Sequence, residues 1–161
     1  MFFDENWNTK SETVSFGHDI EASWLLPEAA EVSGDETLIR QWKDTSAKIA
    51  EASLQGLDEN GGLNYEREKA SLNKEKHWWV QAEAMVGFLN AFQITGDPDY
   101  YDRFVKCWGF IKRFLSDRQR GEWLWGINED LSVMPGQDKV GMWKCPYHNG
   151  RACLEIIRRL S

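Results

Sequence analysis

The chain has 161 residues, 42% of them apolar and 28% charged, which suits one ordinary domain and neither a disordered nor a membrane-spanning chain. Lys and Arg number 19 against 26 Asp and Glu, a net charge of −7 with no basic block, so nucleic acid and anionic membrane surfaces are poor partners. Cys107, Cys145 and Cys153 are odd in number and lack Cys-x-x-Cys spacing, which argues against a disulfide scaffold or zinc site and fits a reducing cytoplasm. The opening Met1-Phe2-Phe3-Asp4-Glu5 has none of the basic-then-apolar character of a signal peptide.

Apolar positions Ile20, Trp24, Leu25, Ala29 and Val32 recur at three- and four-residue steps and predict a helix over 17–33, with Pro27 inside it as a kink or a start. Gly34 stops this helix and Asp35 caps the next, predicted over 36–54. Asp58-Glu59-Asn60-Gly61-Gly62 is a turn, and 63–65 reads as a short strand. A third helix is predicted over 78–95 and ends at Gly96. Asp97-Pro98 then gives an N-cap followed by proline at the first helical position, opening a helix over 99–116. A turn at 117–121 and an extended run at 122–125 follow, and a last helix begins after Pro146.

The turn motifs at Asp4, Asp58 and Asp117 recur at intervals of roughly 55–60 residues, with two helices between neighbours. The repeating unit is a helix, a short turn, a helix and a long aromatic loop. Stacked hairpins of this kind gather function on the long-loop side. The expected fold is all-α: stacked helical hairpins forming an incomplete α/α barrel, with short β-hairpins on the long loops. Phe2-Phe3 reads as the second strand of a hairpin whose first strand is missing, so residues 1–161 are expected to be the C-terminal portion of a longer barrel. Apolar helix faces meant for a missing half would then lead the chain to self-associate.

Nine tryptophans accompany many Asp, Glu, Asn and Gln, a composition that suits either a core of large residues or a sugar cleft, where indoles stack on the C–H faces of pyranose rings. His18 opens the first helix with Glu21 three residues on, on the same face; a carboxylate beside an imidazole raises its basicity, although an ordinary acidic first turn has the same spacing. His148 precedes the last helix in Trp143-Lys144-Cys145-Pro146-Tyr147-His148-Asn149-Gly150-Arg151. Both histidines therefore sit at helix openings after long loops, where closure of the array would bring them to one pocket. Of Trp78 and Trp79, one is expected to face that pocket and the other to pack, with Gln81 or Glu83 free for hydroxyls. His77 reads as a surface residue, and Asp138, Lys139 and Lys144 as loop charges. No phosphate loop, nucleophile elbow or metal-ligand helix is present.

Ser15-Phe16-Gly17-His18-Asp19-Ile20-Glu21-Ala22-Ser23-Trp24-Leu25-Leu26, Trp78-Trp79-Val80-Gln81-Ala82-Glu83-Ala84 and the stretch Trp143 to Arg151 resemble the cellobiose 2-epimerases of the N-acylglucosamine 2-epimerase superfamily. The resemblance implies a barrel of six helical hairpins, about twice this length or more. It implies that His18 and His148 are an acid/base pair, that Glu21 orients His18, and that Trp78, Trp79 and Trp143 contact sugar. The implied reaction inverts C2 of the reducing-end glucose of a β-1,4-linked disaccharide through a cis-enediolate, with no metal or organic cofactor. The family's ring-opening histidine and its enediolate-stabilising arginine have no counterpart in this chain, so the 161 residues alone are expected to be inactive. A non-catalytic sugar-binding or self-associating helical-repeat module is the alternative, as is a related N-acylglucosamine 2-epimerase or aldose–ketose isomerase.

Overall fold

The computed structural model describes residues 3–161. Helices dominate: α1 (Phe16–Ser33), α2 (Glu36–Ser53), α3 (Trp78–Thr95), α4 (Pro98–Phe110) and α5 (Tyr147–Leu160). Short loops join α1 to α2 and α3 to α4. Gly34 and Gly96 take the left-handed conformation at φ 72° and 73° and end α1 and α3. Asp35 accepts hydrogen bonds from the backbone N–H of Thr37 and Leu38, and Asp97 from that of Asp99, so the outer helix of each hairpin starts on a carboxylate cap. The helix expected over 99–116 is continuous, but Ile111–Leu115 winds into a single π-type turn at its end. Pro27 is absorbed within α1.

α3 lies at the centre and packs against all four other helices. Every residue from Trp78 to Ala91 is buried. This follows from its composition: α3 is apolar around its circumference, whereas α2, α4 and α5 each carry one apolar stripe. Small residues let neighbours approach closely. A Cβ on Gly87 would meet Ile20 Cγ1 at 2.6 Å, and one on Gly17 would meet the Trp79 ring at 2.5 Å. No helix is long and apolar enough to cross a membrane among the described residues.

The long loops lie at the other ends of these hairpins. β1 (Thr13–Ser15), β2 (Glu66–Glu68) and β3 (Ser71–Asn73) form an antiparallel sheet in which Ser15 faces Glu66 and Arg67 faces Leu72. β4 (Lys76–His77) pairs with β5 (Gly126–Ile127). The strand expected at 63–65 is thus displaced to 66–73, and Leu63 makes a lone bridge to Leu57 instead. Lone bridges also close the turns at Asp4 (Phe3 with Thr9) and Asp117 (Ser116 with Trp123), so the recurring turns share one geometry. The sequence expectation for Phe2 lies outside the described residues. Strand β1 runs straight into α1 and β4 straight into α3, so the two small sheets set where the inner helices begin.

Two buried lysines anchor the loops. Lys76 Nζ is wholly enclosed and donates to Asn64 Oδ1 (2.9 Å) and the Lys74 carbonyl (2.8 Å), with Asp58 Oδ2 at 2.6 Å. Lys144, expected to be a solvated loop charge, is equally buried; its Nζ donates to Glu122 Oε1 (3.0 Å) and the carbonyls of Trp123 and Lys139. All three ammonium protons are used in each case, which is what burial of the charge requires. Gln81, expected to serve a ligand, instead closes a pair of bonds with the backbone of Leu63: its Oε1 accepts the N–H at 2.8 Å and its Nε2 donates to the carbonyl at 2.7 Å.

Gln81→Leu keeps the volume but strands the buried N–H and C=O of Leu63, at about 1–3 kcal/mol each. The variant should be about 2–4 kcal/mol less stable in urea denaturation, and a change under about 0.5 kcal/mol would show that the pair does not hold the loop.

Candidate active site

The openings of α1, α3 and α5 converge on one cleft of about 280 Å³, lined by His18, Glu21, Tyr65, His77, Trp78, Trp79, Trp125, Trp143 and His148. All six residues named for the site by the sequence therefore meet there, contributed by three helix starts and the loop before α5. A second cleft of about 290 Å³ lies between the far ends of α1, α3 and α5, but its Glu28, Lys43, Arg158 and Arg159 are already paired with one another or with Glu31 and Glu155.

Trp79 neighbours both imidazoles. Its ring centroid is 4.9 Å from that of His18 and 5.7 Å from that of His148. Trp78 lies edge-on to His148 at 6.4 Å and against Trp125 at 4.6 Å. Both indoles are buried and both line the cleft, rather than one facing it and one packing away. Trp143 is 81% exposed at the rim.

The imidazoles are held differently. His148 Nδ1 is 2.6 Å from Glu83 Oε1, deep in α3. Facing a carboxylate, Nδ1 carries a proton, so that in the neutral ring Nε2 holds the free lone pair. The other oxygen of Glu83 accepts the indole N–H of Trp24 at 3.0 Å. Arg151 completes the arrangement. It donates to Glu83 and, at 2.9 Å, to Glu21, with its guanidinium between the rings of Trp24 (4.8 Å) and Tyr147 (4.3 Å). Burial lowers the proton affinity of Arg151, but its bonds to Glu21 and Glu83 outweigh this and raise it overall.

His18 departs from expectation. Its Nδ1 is 2.7 Å from Ser15 Oγ, while the Glu21 carboxylate is engaged by Arg151. Glu21 therefore belongs to the Arg151 network rather than orienting His18. Glu83, expected to be available to ligand hydroxyls, is wholly buried and committed to protein partners. Beside His18, burial raises the Asp19 carboxyl above its usual range, partly offset by the imidazole.

His77 is not a surface residue. Its ring stacks on Tyr65 at 4.1 Å and 27°, lies 6.5 Å from Trp125, and bonds Glu75 at 3.0 Å. Burial pushes its proton affinity below the ordinary imidazole value, against the opposing pull of Glu75 and Glu66. Tyr65, Trp125, Ser15 and Arg151 were not singled out by the sequence reading. A buried carboxylate at Glu83, inside a run that is otherwise nearly all apolar, was the one signal that a charged partner had to arrive from elsewhere.

Glu21, Glu83 and His148 each bring one donor atom within 4.8 Å of the others, a grouping that resembles a cation site. Arg151 already supplies the positive charge there, bonded to both carboxylates.

Stacked helical hairpins with inner-helix starts and aromatic loops at one rim define an α/α toroid architecture. Residues 2–152 match the family model described as N-acylglucosamine 2-epimerase (GlcNAc 2-epimerase). The cellobiose 2-epimerase of Bacteroides fragilis is 48% identical over 159 residues, covering 98% of this chain and 41% of the relative. The N-acylglucosamine 2-epimerase of Mus musculus is 32% identical over 151 residues, covering 89% and 35%. The solved cellobiose 2-epimerase from Bacillus thermoamylovorans B4167 superposes with a TM-score of 0.90 at 37% identity, covering 98% of this chain and 40% of that one. A solved D-mannose isomerase, 20% identical, shares the fold with a TM-score of 0.85 over 97% of this chain and 43% of that one. The chain belongs to the N-acylglucosamine 2-epimerase family. It spans about 41% of the length of the curated cellobiose 2-epimerase from Bacteroides fragilis.

Because His77 is held neutral in the folded state, the unfolded chain takes up its proton first as pH falls through about 6.5. Stability should therefore be full above that value and decline toward pH 5. In thermal unfolding between pH 8 and 5, His77→Gln should show a shallower decline than the parent chain; parallel slopes would show that this imidazole titrates alike in both states.

Proposed function

We propose that the cleft serves sugar 2-epimerisation, with His18 and His148 as the acid/base pair and Trp78, Trp79 and Trp143 as sugar-contacting aromatics. The observation that carries the reading is the placement of two imidazoles against one indole in one cleft, each tied down through Nδ1 with no protein partner on Nε2 among the described residues. Inversion at a carbon acid passes through a planar enediolate, so one face must lose a proton and the opposite face must gain one. Two imidazoles positioned separately meet that requirement. Glu83 and Arg151 keep His148 in place and balance its charge as it cycles.

The substrate class we infer is a β-1,4-linked disaccharide with a reducing-end glucose, converted at C2 to mannose. The cellobiose 2-epimerases among the relatives support it, and so does an aromatic rim made of Trp143, Trp125 and Tyr65. The ring-opening histidine and enediolate-stabilising arginine that the resemblance implies have no counterpart among these 161 residues. Loss of such oxyanion stabilisation alone costs on the order of 10²–10³ in rate.

In a full-length barrel bearing these motifs, His18→Ala and His148→Ala should each abolish epimerisation of cellobiose. Each variant should still exchange the C2 proton in D₂O, followed by NMR, if the surviving imidazole reaches it; full epimerase activity in either would remove that histidine from the mechanism. The 161-residue chain alone should give no turnover above background, and its conversion of cellobiose to glucosyl-mannose would overturn that expectation.

We also infer self-association. α4 and α5 leave Val105, Trp108, Ile157 and Leu160 on an open apolar face with a groove of about 440 Å³. The chain should elute above its monomer mass in size-exclusion chromatography at micromolar concentration; a folded monomer would contradict this.

A further inference from the structure

We propose that Ser15 is a positioning residue for His18: its hydroxyl donates to Nδ1, so that the neutral ring carries its N–H on Nε2. The consequence for catalysis rests on the acid/base reading of His18 above, whereas the assignment of the tautomer rests on geometry alone.

Ser15 is the N-cap of α1, with extended backbone angles of φ −96° and ψ 101°. Serine is favoured at that position because its oxygen ordinarily accepts a backbone N–H of the first turn. Here the side chain makes no cap bond at all. It turns instead to the imidazole three residues on, at 2.7 Å. Residues of the same kind at the other capped helices behave in the ordinary way: Asp35 and Asp97 both cap with their side chains. Ser15 is held in place from the other side by strand β1, where it faces Glu66 across the ladder. The ring it addresses is confined by Trp79, which itself lies against Gly17 so closely that a Cβ there would sit 2.5 Å from the indole.

A hydroxyl can give or accept a proton, so the direction must be argued. Among the described residues the Ser15 hydroxyl has no hydrogen-bond partner other than His18 Nδ1. Donation to Nδ1 uses the hydroxyl proton in this bond. The reverse direction would leave that proton without a protein acceptor. His148 is the opposite case, because the carboxylate of Glu83 only accepts and the proton must lie on Nδ1. The two neutral imidazoles then present unlike atoms to the cleft: an N–H from His18 and a bare nitrogen from His148. A hydrogen-bond donor and a proton acceptor therefore face the one cleft, set by the choice of serine for one ring and glutamate for the other.

The test uses the 161-residue chain with ¹⁵N-labelled histidine, in long-range ¹H–¹⁵N NMR above the imidazole titration range. His18→Gln and His148→Gln assign the signals. The expected spectrum shows His18 protonated on Nε2 with its Nδ1 shifted as a hydrogen-bond acceptor, and His148 protonated on Nδ1. In Ser15→Ala the His18 Nδ1 signal should move to the position of an unbonded acceptor or average between tautomers, while Ser15→Thr should restore it. A wild-type His18 protonated on Nδ1, or a His18 signal indifferent to Ser15→Ala, would overturn the proposal. The wild-type spectrum decides the tautomer even if the alanine variant fails to fold. Since no turnover is measured, absence of epimerisation in the full-length barrel would sink the functional reading and leave this assignment standing. Unchanged imidazole signals would sink the assignment whatever the activity.

Discussion

A carboxylate enclosed on all sides cannot stay charged without partners, and Glu83 is such a group, set in a helix with fourteen consecutive buried residues. Its partners come from both flanking inner helices. Trp24 of α1 donates to one oxygen, and Arg151 and His148 of α5 address the other. Satisfying this one charge therefore brings α1, α3 and α5 together at their site-facing ends. The same bonds fix the tautomer of His148 and place Arg151 over Glu21. Packing and the geometry of the cleft share a single electrostatic requirement here, and removing Arg151 would leave the Glu83 carboxylate buried without its cation.

The long loops obey a similar rule on a smaller scale. Lys76 and Lys144 each precede an inner helix by a few residues, and each turns back onto the preceding loop, where its three protons find an anion or carbonyls. Each loop is thus tied to the start of the next helix. The β1 and β4 ladders act alongside, delivering Ser15 and His77 to the mouth of the cleft. Two short sheets and two buried lysines turn flexible connections into a rim stiff enough to hold aromatic rings at stacking distance.

Much of the architecture was legible from local rules. Asp35, Asp97-Pro98, Gly34 and Gly96 act through bonds within a few residues, so the end of α1, the start of α2, the end of α3 and the start of α4 follow from the chain itself. The recurring turns at Asp4, Asp58 and Asp117 showed the hairpin repeat, and with it the convergence of helix openings. The π-type turn after Phe110 and the shift of the strand from 63–65 to 66–73 were not legible. A tertiary contact decides the second: Leu63 is taken by Gln81, eighteen positions away in sequence, before it can enter a ladder.

The site divides along the same line. By itself the sequence determined that His18, Trp78, Trp79 and His148 open inner helices after long loops, and that they share a rim. Spacing on one helix, however, names only neighbours on that helix, and so it paired His18 with Glu21 and sent His77 to the surface. The tertiary structure gave Glu21 to Arg151, 130 positions distant, left His18 to Ser15, and buried His77 under Tyr65. The physical reason is competition. A carboxylate beside an imidazole on a helix face will bond a guanidinium instead when the fold supplies one, because the charged, multidentate partner binds more strongly. Only the packing of α5 against α3 decides that it is supplied.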